Sequence, residues 1–440
     1  MASAQLTRTT GTPTSTDIGT ISFWMKRSVL DENNNYIISN YISGNSGYIR
    51  FKSDNQLQAY SSVANDEKRT NRLFRDVNGW YHIVLRVDTS QSTASDRVRM
   101  YINGVQETSF STGTNCSQNA DYDLFKASGS MRIGYIQSGT ATYFSGQLAH
   151  FHYADGQSYA PTVFGQTDAT TGIWKPITSP SVTYGNNGFF LKFDNSANMG
   201  LDSSGNSNNF TTSGTIIQNK DTPSNVFATM DINTKNANAS VTLTNVGSTV
   251  NVSNGADNCT SSLMVSSGKY YWEGKQTVGS LGMVGIRPEG MHYNQSSIFN
   301  LTGTYQGYYY YGDSGNIRPA NTSYGATFGV GDIIGFALDL DNNKLYFSKN
   351  GTWQNSGDPT SGSTGTGAVS IATSGLTWGF SFTSGGGSDT FQMNFGNGYF
   401  GTTAVTSAQN PDDGVGIFEY DVPAGYRALC TKSINAQEYS

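Results

Sequence analysis

Two-residue alternation of apolar and polar side chains is the feature that most restricts the fold of this chain. In TISFWMKRS (20–28), Ile21, Phe23 and Met25 occupy every second position. Residues two apart share one face of a β-strand, whereas a helix face repeats every 3.6 residues. The alternation returns in WYHIVLRVD, RVRMYINGV and DIIGFALDL, and the sequence shows no sustained helical period. The pattern predicts an all-β protein.

Turn signals between the strands indicate antiparallel pairing. Asn103-Gly104, in MYINGVQ, is typical of a tight hairpin, because a type I′ turn needs positive φ at both central residues. The segment LDLDNNKLYFSKNG predicts a second hairpin, with the chain turning at 341–343. Regular short strands joined by such turns predict antiparallel β-sandwiches.

Length and composition support two such sandwiches in tandem. The chain has 440 residues, which is enough for two or three domains with separate cores. Aromatic residues make up 12% and charged residues 13%, whereas disordered chains are poor in aromatics and rich in charge. We therefore expect a folded protein.

The strand pattern changes near residue 175. A polar stretch with Pro, Ser and Gly follows TGIWKPI (172–178), and a second series of strands begins at about 226. We predict a first sandwich over 1–175, a connector packed on it over 176–225, and a second sandwich with a C-terminal tail over 226–440.

Charge and hydropathy exclude several classes of protein. The net charge of −6 and the pI near 5.2 argue against nucleic-acid binding, which usually needs a basic surface. No run of 18 apolar residues is present, so no membrane insertion is expected. The N-terminal stretch lacks the apolar core of a secretory signal.

The three cysteines, Cys116, Cys259 and Cys430, lie too far apart in sequence to suggest a disulfide framework or a zinc site. We therefore expect the protein to mature in a reducing cytoplasm.

Catalytic carboxylates are not evident in the sequence. Glycoside hydrolases need two carboxylates across the scissile bond, and none of the glutamates stands in a paired arrangement on one strand. Asp339 and Asp341 share a strand face, but they enter a tight turn, where Asp is favoured for backbone reasons. We predict that the protein is not an enzyme and has no catalytic residues, although a spatial Ser/His/Asp triad stays open.

Metal binding is only weakly indicated. His82 lies in a predicted core strand, and His150 and His152 point to one side of another strand without a third ligand nearby in sequence. Calcium is an alternative, because the loops at 31–35 and 88–96 offer Asp and Asn oxygens. Both loops also fit ordinary polar turns, so we assign no metal ligand and no other cofactor.

Four consecutive tyrosines form the strongest candidate for a binding site. In a strand, Tyr308 and Tyr310 would face one way and fill the core. Tyr309 and Tyr311 would then lie on an outer face or rim, beside the loop GDSGNIRPANTSYG.

The candidate ligand-binding residues are therefore Tyr309, Tyr311, Arg318 and Tyr324. Tyr rings stack on apolar faces of ligands and also form hydrogen bonds. In the alternative, both pairs of tyrosines are packed by neighbouring loops or by a sister subunit.

Both halves resemble known families. TISFWMKRS, NGWYHIVLRVD, RVRMYINGVQ and FSGQLAHFHYADG, within about residues 6–175, resemble the laminin-G/concanavalin A-like lectin superfamily. GKYYWEGKQ, GMVGIRP and VGDIIGFALDLDNNKLYFSKNGTW, within about 226–400, resemble SPRY domains, which bind partners through loops at one edge of the sandwich.

The combination, with ADGQSYAPTVFGQTDATTGIWKPI and FEYDVPAGYRALCT, resembles virion proteins of marine bacteriophages and prophages. This resemblance implies a receptor-binding or tail-fibre component that recognises host surface glycans or proteins. The alternatives are a capsid decoration protein and, less favoured, a glycoside hydrolase. The implied partners are other virion proteins and further copies of the chain, and the implied location is the virion tail or head surface after synthesis in the bacterial cytoplasm.

Overall fold

The computed structural model describes residues 4–137, 142–235, 240–253, 258–289, 307–372 and 375–438. The chain divides into two compact units, Met1–Gln218 and Asn219–Ser440. Within the described residues the regular structure is almost entirely antiparallel β-sheet, which confirms the predicted fold class.

The first unit consists of short strands and one helical turn. Its elements are β1 (Gln5–Thr9), β2 (Ile18–Arg27), β3 (Asn35–Ile42), β4 (Asn45–Phe51), β5 (Gln56–Ser61), β6 (Asp66–Leu73), β7 (Tyr81–Asp88), α1 (Ala94–Arg97), β8 (Val98–Ile102), β9 (Val105–Glu107), β10 (Phe110–Thr114), β11 (Ser130–Ile133), β12 (Thr142–Tyr143), β13 (Gly146–Asp155), β14 (Gly165–Thr167), β15 (Trp174–Pro176), β16 (Phe189–Leu191) and β17 (Thr211–Ser213).

These strands form two main sheets. Sheet I has the order β10-β6-β5-β4-β3-β11-β1-β17, with β12 beside β3, and sheet II has the order β16-β13-β2-β7-β8-β9. The predicted Asn103-Gly104 hairpin is confirmed: β8 pairs with β9, and the two turn residues have φ of 50° and 82°.

The core of the first unit lies between the two sheets. Ile21, Phe23 and Met25 of β2 are fully buried in it, as their alternation predicted, and they pack with sheet I residues such as Ile49 and Phe51. Burial of such a face removes apolar surface from water and supplies most of the favourable free energy of folding.

The opposite face of sheet II is also buried. Trp24 stacks on His82, with ring centroids 4.7 Å apart, and Val84 packs against Phe164. Phe164 and Trp174 belong to the segment that follows β13, so this segment covers the second face of the sheet.

Residues after 175 add strands to both sheets of the first unit. β16 pairs with β13 through Phe189, Phe190 and Leu191, and β17 pairs with β1. The compact unit ends at Gln218. The domain boundaries at 175 and 225 stay predictions.

The second unit is built in the same way. Its elements are β18 (Met230–Asp231), β19 (Val241–Thr244), β20 (Thr249–Val252), β21 (Asn258–Ser261), β22 (Lys269–Val278), β23 (Gly282–Pro288), β24 (Tyr308–Tyr311), β25 (Asn316–Arg318), β26 (Thr322–Ser323), β27 (Ile333–Asp339), β28 (Lys344–Lys349), β29 (Thr352–Trp353), β30 (Val369–Ser370), β31 (Trp378–Ser384), β32 (Asp389–Asn394), β33 (Tyr399–Phe400), β34 (Thr403–Ala404), β35 (Arg427–Ala428) and α2 (Thr431–Glu438).

Two sheets again enclose the core. Sheet III has the order β18-β21-β31-β23-β24-β25-β26, and sheet IV has the order β19-β20-β32-β22-β27-β28-β29, with β30 beside β28 and β35 beside β22. The predicted hairpin of β27 and β28 is confirmed by pairing from Ile334↔Lys349 to Asp339↔Lys344. Trp272, Phe336 and Phe380 are fully buried between the sheets.

Short 3₁₀ turns connect some strands, at Asp123–Phe125, Pro161–Val163, Ile232–Thr234, Gln354–Ser356 and Gly362–Thr364. None of the helices within the described ranges has the length and apolar character needed to cross a membrane.

Candidate functional site

The four tyrosines form strand β24, and their side chains alternate between two faces as predicted. Tyr308 and Tyr310 belong to the main core of the second unit. Tyr309 and Tyr311 lie on the other face of sheet III, in a small cluster with Met283.

Tyr309 and Tyr311 lie on the face of sheet III opposite to the core, as predicted, but their neighbours pack them, as in the alternative. Tyr309 is 1% exposed and Tyr311 is 9% exposed. The Tyr309 hydroxyl and the Ser381 hydroxyl lie 3.0 Å apart in a buried hydrogen bond, and the guanidinium carbon of Arg318 lies 5.2 Å from the centre of the Tyr311 ring. Neighbouring side chains therefore cover the outer pair of tyrosines.

A groove of about 360 Å³ lies next to this strand, at an open edge of the second sandwich. One wall comes from sheet III, where Tyr308 and the β25–β26 hairpin border the groove. The other wall comes from Asn355 and from β30 of sheet IV. The complete lining is Tyr308, Ile317, Arg318, Pro319, Ala320, Thr322, Ser323, Tyr324, Asn355, Ala368, Val369 and Ser370.

Both apolar and polar residues line the groove. The Tyr308 hydroxyl accepts a hydrogen bond from the Ala372 N–H at 3.0 Å, and among the described residues none accepts the proton of that hydroxyl. Ser370 Oγ lies 3.1 Å from Lys344 Nζ, and Asn355 Nδ2 donates to Gly367 O at 3.3 Å. Such a mixture of aromatic and hydrogen-bonding groups is typical of small-ligand sites.

The structure brings two of the four predicted residues to this groove. Arg318 borders it and also contacts Tyr311, while Tyr324 lines it and accepts the Phe347 N–H at 3.3 Å. Burial raises the pKa of the Tyr324 hydroxyl, which is therefore neutral. Tyr309 and Tyr311 do not line the groove.

The second wall of the groove was not found in the sequence. SGDPTSGSTGTGAVS has the composition of a flexible surface loop, but it ends in β30, whose Val369 and Ser370 pair with Leu345 and Lys344. The two-residue strand is too short to show an alternation pattern.

His82 has the contacts of a structural histidine in the first unit. Its Nδ1 accepts the indole N–H of Trp174 at 3.0 Å, and its Nε2 lies 2.8 Å from the Ser22 hydroxyl. Because an indole N–H only donates, Nδ1 carries no proton, so Nε2 carries it and donates to Ser22. His82 in this tautomer does not accept the Ser22 proton, as a general base would need to do.

His150 and His152 stack on a common aromatic residue. Their rings lie 6.0 Å and 3.9 Å from that of Phe190, and a bulge with positive φ at His150 interrupts the strand between them. Burial lowers the pKa of both histidines, and a lysine near His150 lowers its pKa further. They are packed as neutral rings.

The acidic pair at the β27–β28 turn has a backbone role, as predicted. Asp339 Oδ1 accepts the Asn342 N–H at 3.0 Å, and Asp341 Oδ1 accepts the Gly268 N–H at 2.9 Å. Asp339 also forms an ion pair with Lys269, at 3.1 Å.

Glu273 is a buried carboxyl group with a raised pKa. It accepts the backbone N–H groups of Glu419 and Tyr420 at 2.8 and 2.9 Å, and the Tyr271 hydroxyl at 3.0 Å. Burial raises the pKa of Glu273 to about 7, although these hydrogen bonds act in the opposite direction. The side chain ties the C-terminal segment to β22.

Hydrogen bonds within the protein engage the carboxylates of the two loops considered for calcium. Asp31 Oδ1 accepts Asn55 Nδ2 at 2.7 Å, and the two carboxylate oxygens of Asp88 bond Ser90 and Gln91. Across the described part of the chain, no group of three or more His, Cys, Asp or Glu residues could hold a metal ion. The calcium hypothesis stays untested.

Comparison with known families identifies both sandwiches. Residues 2–158 match the concanavalin A-like lectin/glucanases superfamily, and residues 269–397 match the SPRY domain. The chain thus carries a concanavalin A-like domain followed by a SPRY domain. No curated protein matches it significantly.

Solved structures similar to parts of the chain include three of different origin. The SPRY domain of human HERC1 is 18% identical, covers 37% of this chain and 96% of its own, and has a TM-score of 0.28. A putative carbohydrate binding protein from Bacteroides ovatus is 15% identical. The match covers 48% of this chain and 56% of that protein, with a TM-score of 0.36. A heptameric SAP-like pentraxin from Limulus polyphemus is 18% identical. The match covers 36% of this chain and 71% of the pentraxin, with a TM-score of 0.26.

Proposed function

We propose that this protein is a non-enzymatic adhesion protein of a phage virion, which recognises host surface glycans. The single observation that carries the binding role is the groove bordered by Tyr308, Arg318 and Tyr324. Its volume of about 360 Å³ is at the lower end of the roughly 300–1,000 Å³ usual for ligand sites, which suits a small unit such as one or two sugar rings.

The chemistry of the groove suits a sugar. Pro319, Ala320 and Val369 offer apolar surface in the groove, and the Tyr308 hydroxyl has a proton to donate to a sugar oxygen. Asn355 and Ser370 face it from the opposite wall and can donate or accept hydrogen bonds. A sugar ring, with an apolar face and a polar rim, matches these two walls.

Binding by a single shallow groove is expected to be weak. When several copies of such a site are linked, binding of one copy raises the effective concentration of the others at the same surface. The overall affinity then rises without any new kind of contact. Homo-oligomers with closed symmetry supply such copies. We therefore infer that the protein acts as an oligomer.

The absence of catalysis is part of the proposal. The superfamily of the first unit includes both lectins and glucanases, so the family match does not decide between them. The tautomer of His82 and the backbone roles of Asp339 and Asp341 favour a binding role. Release of reducing sugar from a glycan that the protein binds would favour the hydrolase alternative instead.

The virion location is supported by the resemblance of the combined sequence segments to phage and prophage proteins. A capsid decoration protein is the second candidate, because the same two sandwiches could fill gaps between capsid subunits. Immunogold labelling of intact virions separates the two: label on the tail or its fibres supports adhesion, and label spread over the head supports decoration. A virion without label contradicts both.

A glycan array probed with the full chain tests the ligand class. We expect binding to at least one class of surface glycan, and we expect Tyr308→Phe to weaken it by about tenfold, because one hydrogen bond to the ligand is lost. No binding to any glycan, by a chain shown to be folded, would contradict the glycan proposal.

A further inference from the structure

The outer face of sheet I, which points away from the core, carries a set of ordered polar and aromatic side chains. In one row across the strands, Tyr48 of β4 pairs with Tyr60 of β5, which pairs with Glu67 of β6. Partners in antiparallel strands place their side chains on the same face. The neighbouring row contains Tyr36, Arg50, Gln58 and Arg69.

Three tyrosines form the aromatic part of this outer face. The ring centroids of Tyr36 and Tyr48 lie 5.1 Å apart with an interplanar angle of 86°, and those of Tyr48 and Tyr60 also lie 5.1 Å apart. Tyr36 and Tyr48 are buried by their neighbours, whereas Tyr60 is half-buried and reaches solvent.

Arg50 connects the aromatic and polar groups. Its guanidinium carbon lies 4.8 Å from the centre of the Tyr48 ring, its Nη1 donates to the Tyr36 hydroxyl at 2.7 Å, and its Nε donates to Gln58 Oε1 at 2.6 Å. Gln58 Nε2 in turn donates to Glu67 Oε1 at 2.5 Å. These bonds fix the side chains before a ligand arrives, which lowers the entropy lost on binding.

Lys52 places a cation beside this network. Its backbone N–H donates to Gln56 O at 3.1 Å, so the β4–β5 pairing continues to Lys52 and its side chain falls on the same face as Arg50. Among the described residues its amino group has no ion pair or hydrogen-bond partner.

The other charges near Lys52 are already engaged. Arg69 forms an ion pair with Asp54, and Glu67 accepts the Gln58 amide. Burial lowers the pKa of the Lys52 ammonium, and the charges of Arg50 and Arg69 lower it further. The carboxylates of Asp54 and Glu67 act in the opposite direction and raise this pKa. An added anion would favour the charged form of Lys52.

We propose that the outer face of sheet I binds acidic polysaccharide, with a sugar carboxylate at Lys52 and the apolar side of a sugar ring against Tyr60. This inference rests on the proposed function, because it names a ligand class and adds a second surface to the same binding role. The occupant follows from charge complementarity: Lys52, which has no ion pair within the described residues, lies on the same face as Tyr60, and the fixed hydrogen-bonding row of Arg50 and Gln58 lies between them.

The test uses the full chain with alginate as the carboxylated probe and dextran as the neutral one. The variants are Lys52→Gln and Tyr60→Ala. The matched control is Lys192→Gln, which removes the same charge from an exposed lysine directly after β16 of sheet II. Isothermal titration calorimetry at low and high salt gives the affinities.

We expect alginate to bind more tightly than dextran. Each variant of the outer face should weaken alginate binding by about tenfold, and Lys192→Gln should change it by less than about twofold. Equal weakening by Lys52→Gln and Lys192→Gln would show nonspecific attraction and overturn the proposal. Dissociation of an oligomer by Lys52→Gln, with alginate affinity unchanged, would show a contact between copies and also overturn it.

The two proposals fail in different ways. If the chain binds other glycans but not alginate, or if a variant of the groove in the second unit removes alginate binding while Lys52→Gln does not, only the role of the outer face is overturned. If the folded chain binds no glycan at all, the proposed function fails as well.

Discussion

The ring of Trp174 lies directly against Gly104, at the turn of the β8–β9 hairpin. A Cβ placed on Gly104 would lie 2.9 Å from the Trp174 ring. In the second unit the ring of Tyr420 would lie 2.6 Å from a Cβ on Gly351, in the turn between β28 and β29. Both turns are Asn-Gly, so in each unit an aromatic residue from a later segment packs on a hairpin turn.

The asparagines of these turns also make the same contacts. Asn103 Oδ1 accepts the His82 N–H at 2.7 Å, and Asn350 Oδ1 accepts the Ile333 N–H at 2.8 Å. In each case the turn is hydrogen-bonded to the neighbouring strand and packed against the aromatic residue. The Asn-Gly pair thus stabilises a three-stranded segment in both sandwiches.

Gly104→Ala should destabilise the first unit more than Gly44→Ala does. Both glycines have positive φ, of 82° and 90°, so both substitutions carry the backbone strain of about 1–2 kcal/mol. A Cβ at Gly44 meets no atom within 4 Å, whereas one at Gly104 displaces Trp174. We expect an additional loss of about 1–3 kcal/mol for Gly104→Ala, measured by urea unfolding. Equal losses would show that Trp174 moves without cost.

Acid should destabilise the first unit through its buried histidines. Burial lowers the pKa of His82 from 6.5 to about 3, so the native state stays neutral while the unfolded chain takes up a proton below pH 6.5. The stabilisation from neutral His82 is complete above pH 6.5 and is lost as the pH falls toward 3, by about 1.4 kcal/mol per pH unit.

His82→Gln tests this dependence. Gln does not titrate. Between pH 4.5 and 6, the slope of the unfolding free energy against pH should therefore be smaller in the variant than in the wild type, by the contribution of one proton, or about 1.4 kcal/mol per pH unit. The comparison uses slopes, so a general loss of stability in the variant does not affect it. Identical slopes would mean that His82 is protonated in the folded protein.

Glu273 should give the second unit the opposite pH dependence. Its pKa is raised from 4.5 to about 7, so between these values the native state holds a proton that the unfolded state has released. Stability is therefore greatest below pH 4.5 and falls as the pH rises to about 7, by up to about 1.4 kcal/mol per pH unit. Between pH 5 and 7, the unfolding midpoint of this unit should change less with pH in Glu273→Gln than in the wild type. A midpoint that rises over this range in the wild type and not in the variant would contradict the prediction.

Tyr309→Phe should affect stability and not binding. The variant loses the buried hydrogen bond to Ser381, which costs about 1 kcal/mol in the unfolding free energy of the second unit. Its glycan affinity should stay at the wild-type value, because Tyr309 is 1% exposed. Tyr308→Phe is the matched variant and should weaken binding. A loss of affinity in Tyr309→Phe without loss of stability would restore the direct role expected from the sequence.

The sequence predicted those parts of the fold that local patterns determine. Alternation in β2 and the turns at Asn103 and at 341–343 depend on neighbours in the chain, so the strands and hairpins could be placed. The opposite faces of Tyr308 and Tyr309 followed from the same two-residue period.

The burial of Tyr309 and the groove could not be predicted in this way. Both depend on contacts between residues far apart in sequence, such as Tyr309 with Ser381 and Tyr308 with Ala372. The alternation in β2 likewise does not show that Trp24 is covered, because its cover comes from a later segment that includes Phe164 and Trp174.

The most direct measurement of the central claim is the glycan affinity of Ala320→Trp. Ala320 is exposed at the edge of the groove, so a tryptophan there should fill it without disturbing the core. Ala408→Trp is the matched control, at an exposed alanine of the same unit that does not line the groove. We predict that Ala320→Trp weakens binding of the best array glycan by at least about tenfold and that Ala408→Trp leaves it unchanged. Equal affinity of both variants and the wild type would contradict the assignment of the groove as the binding site.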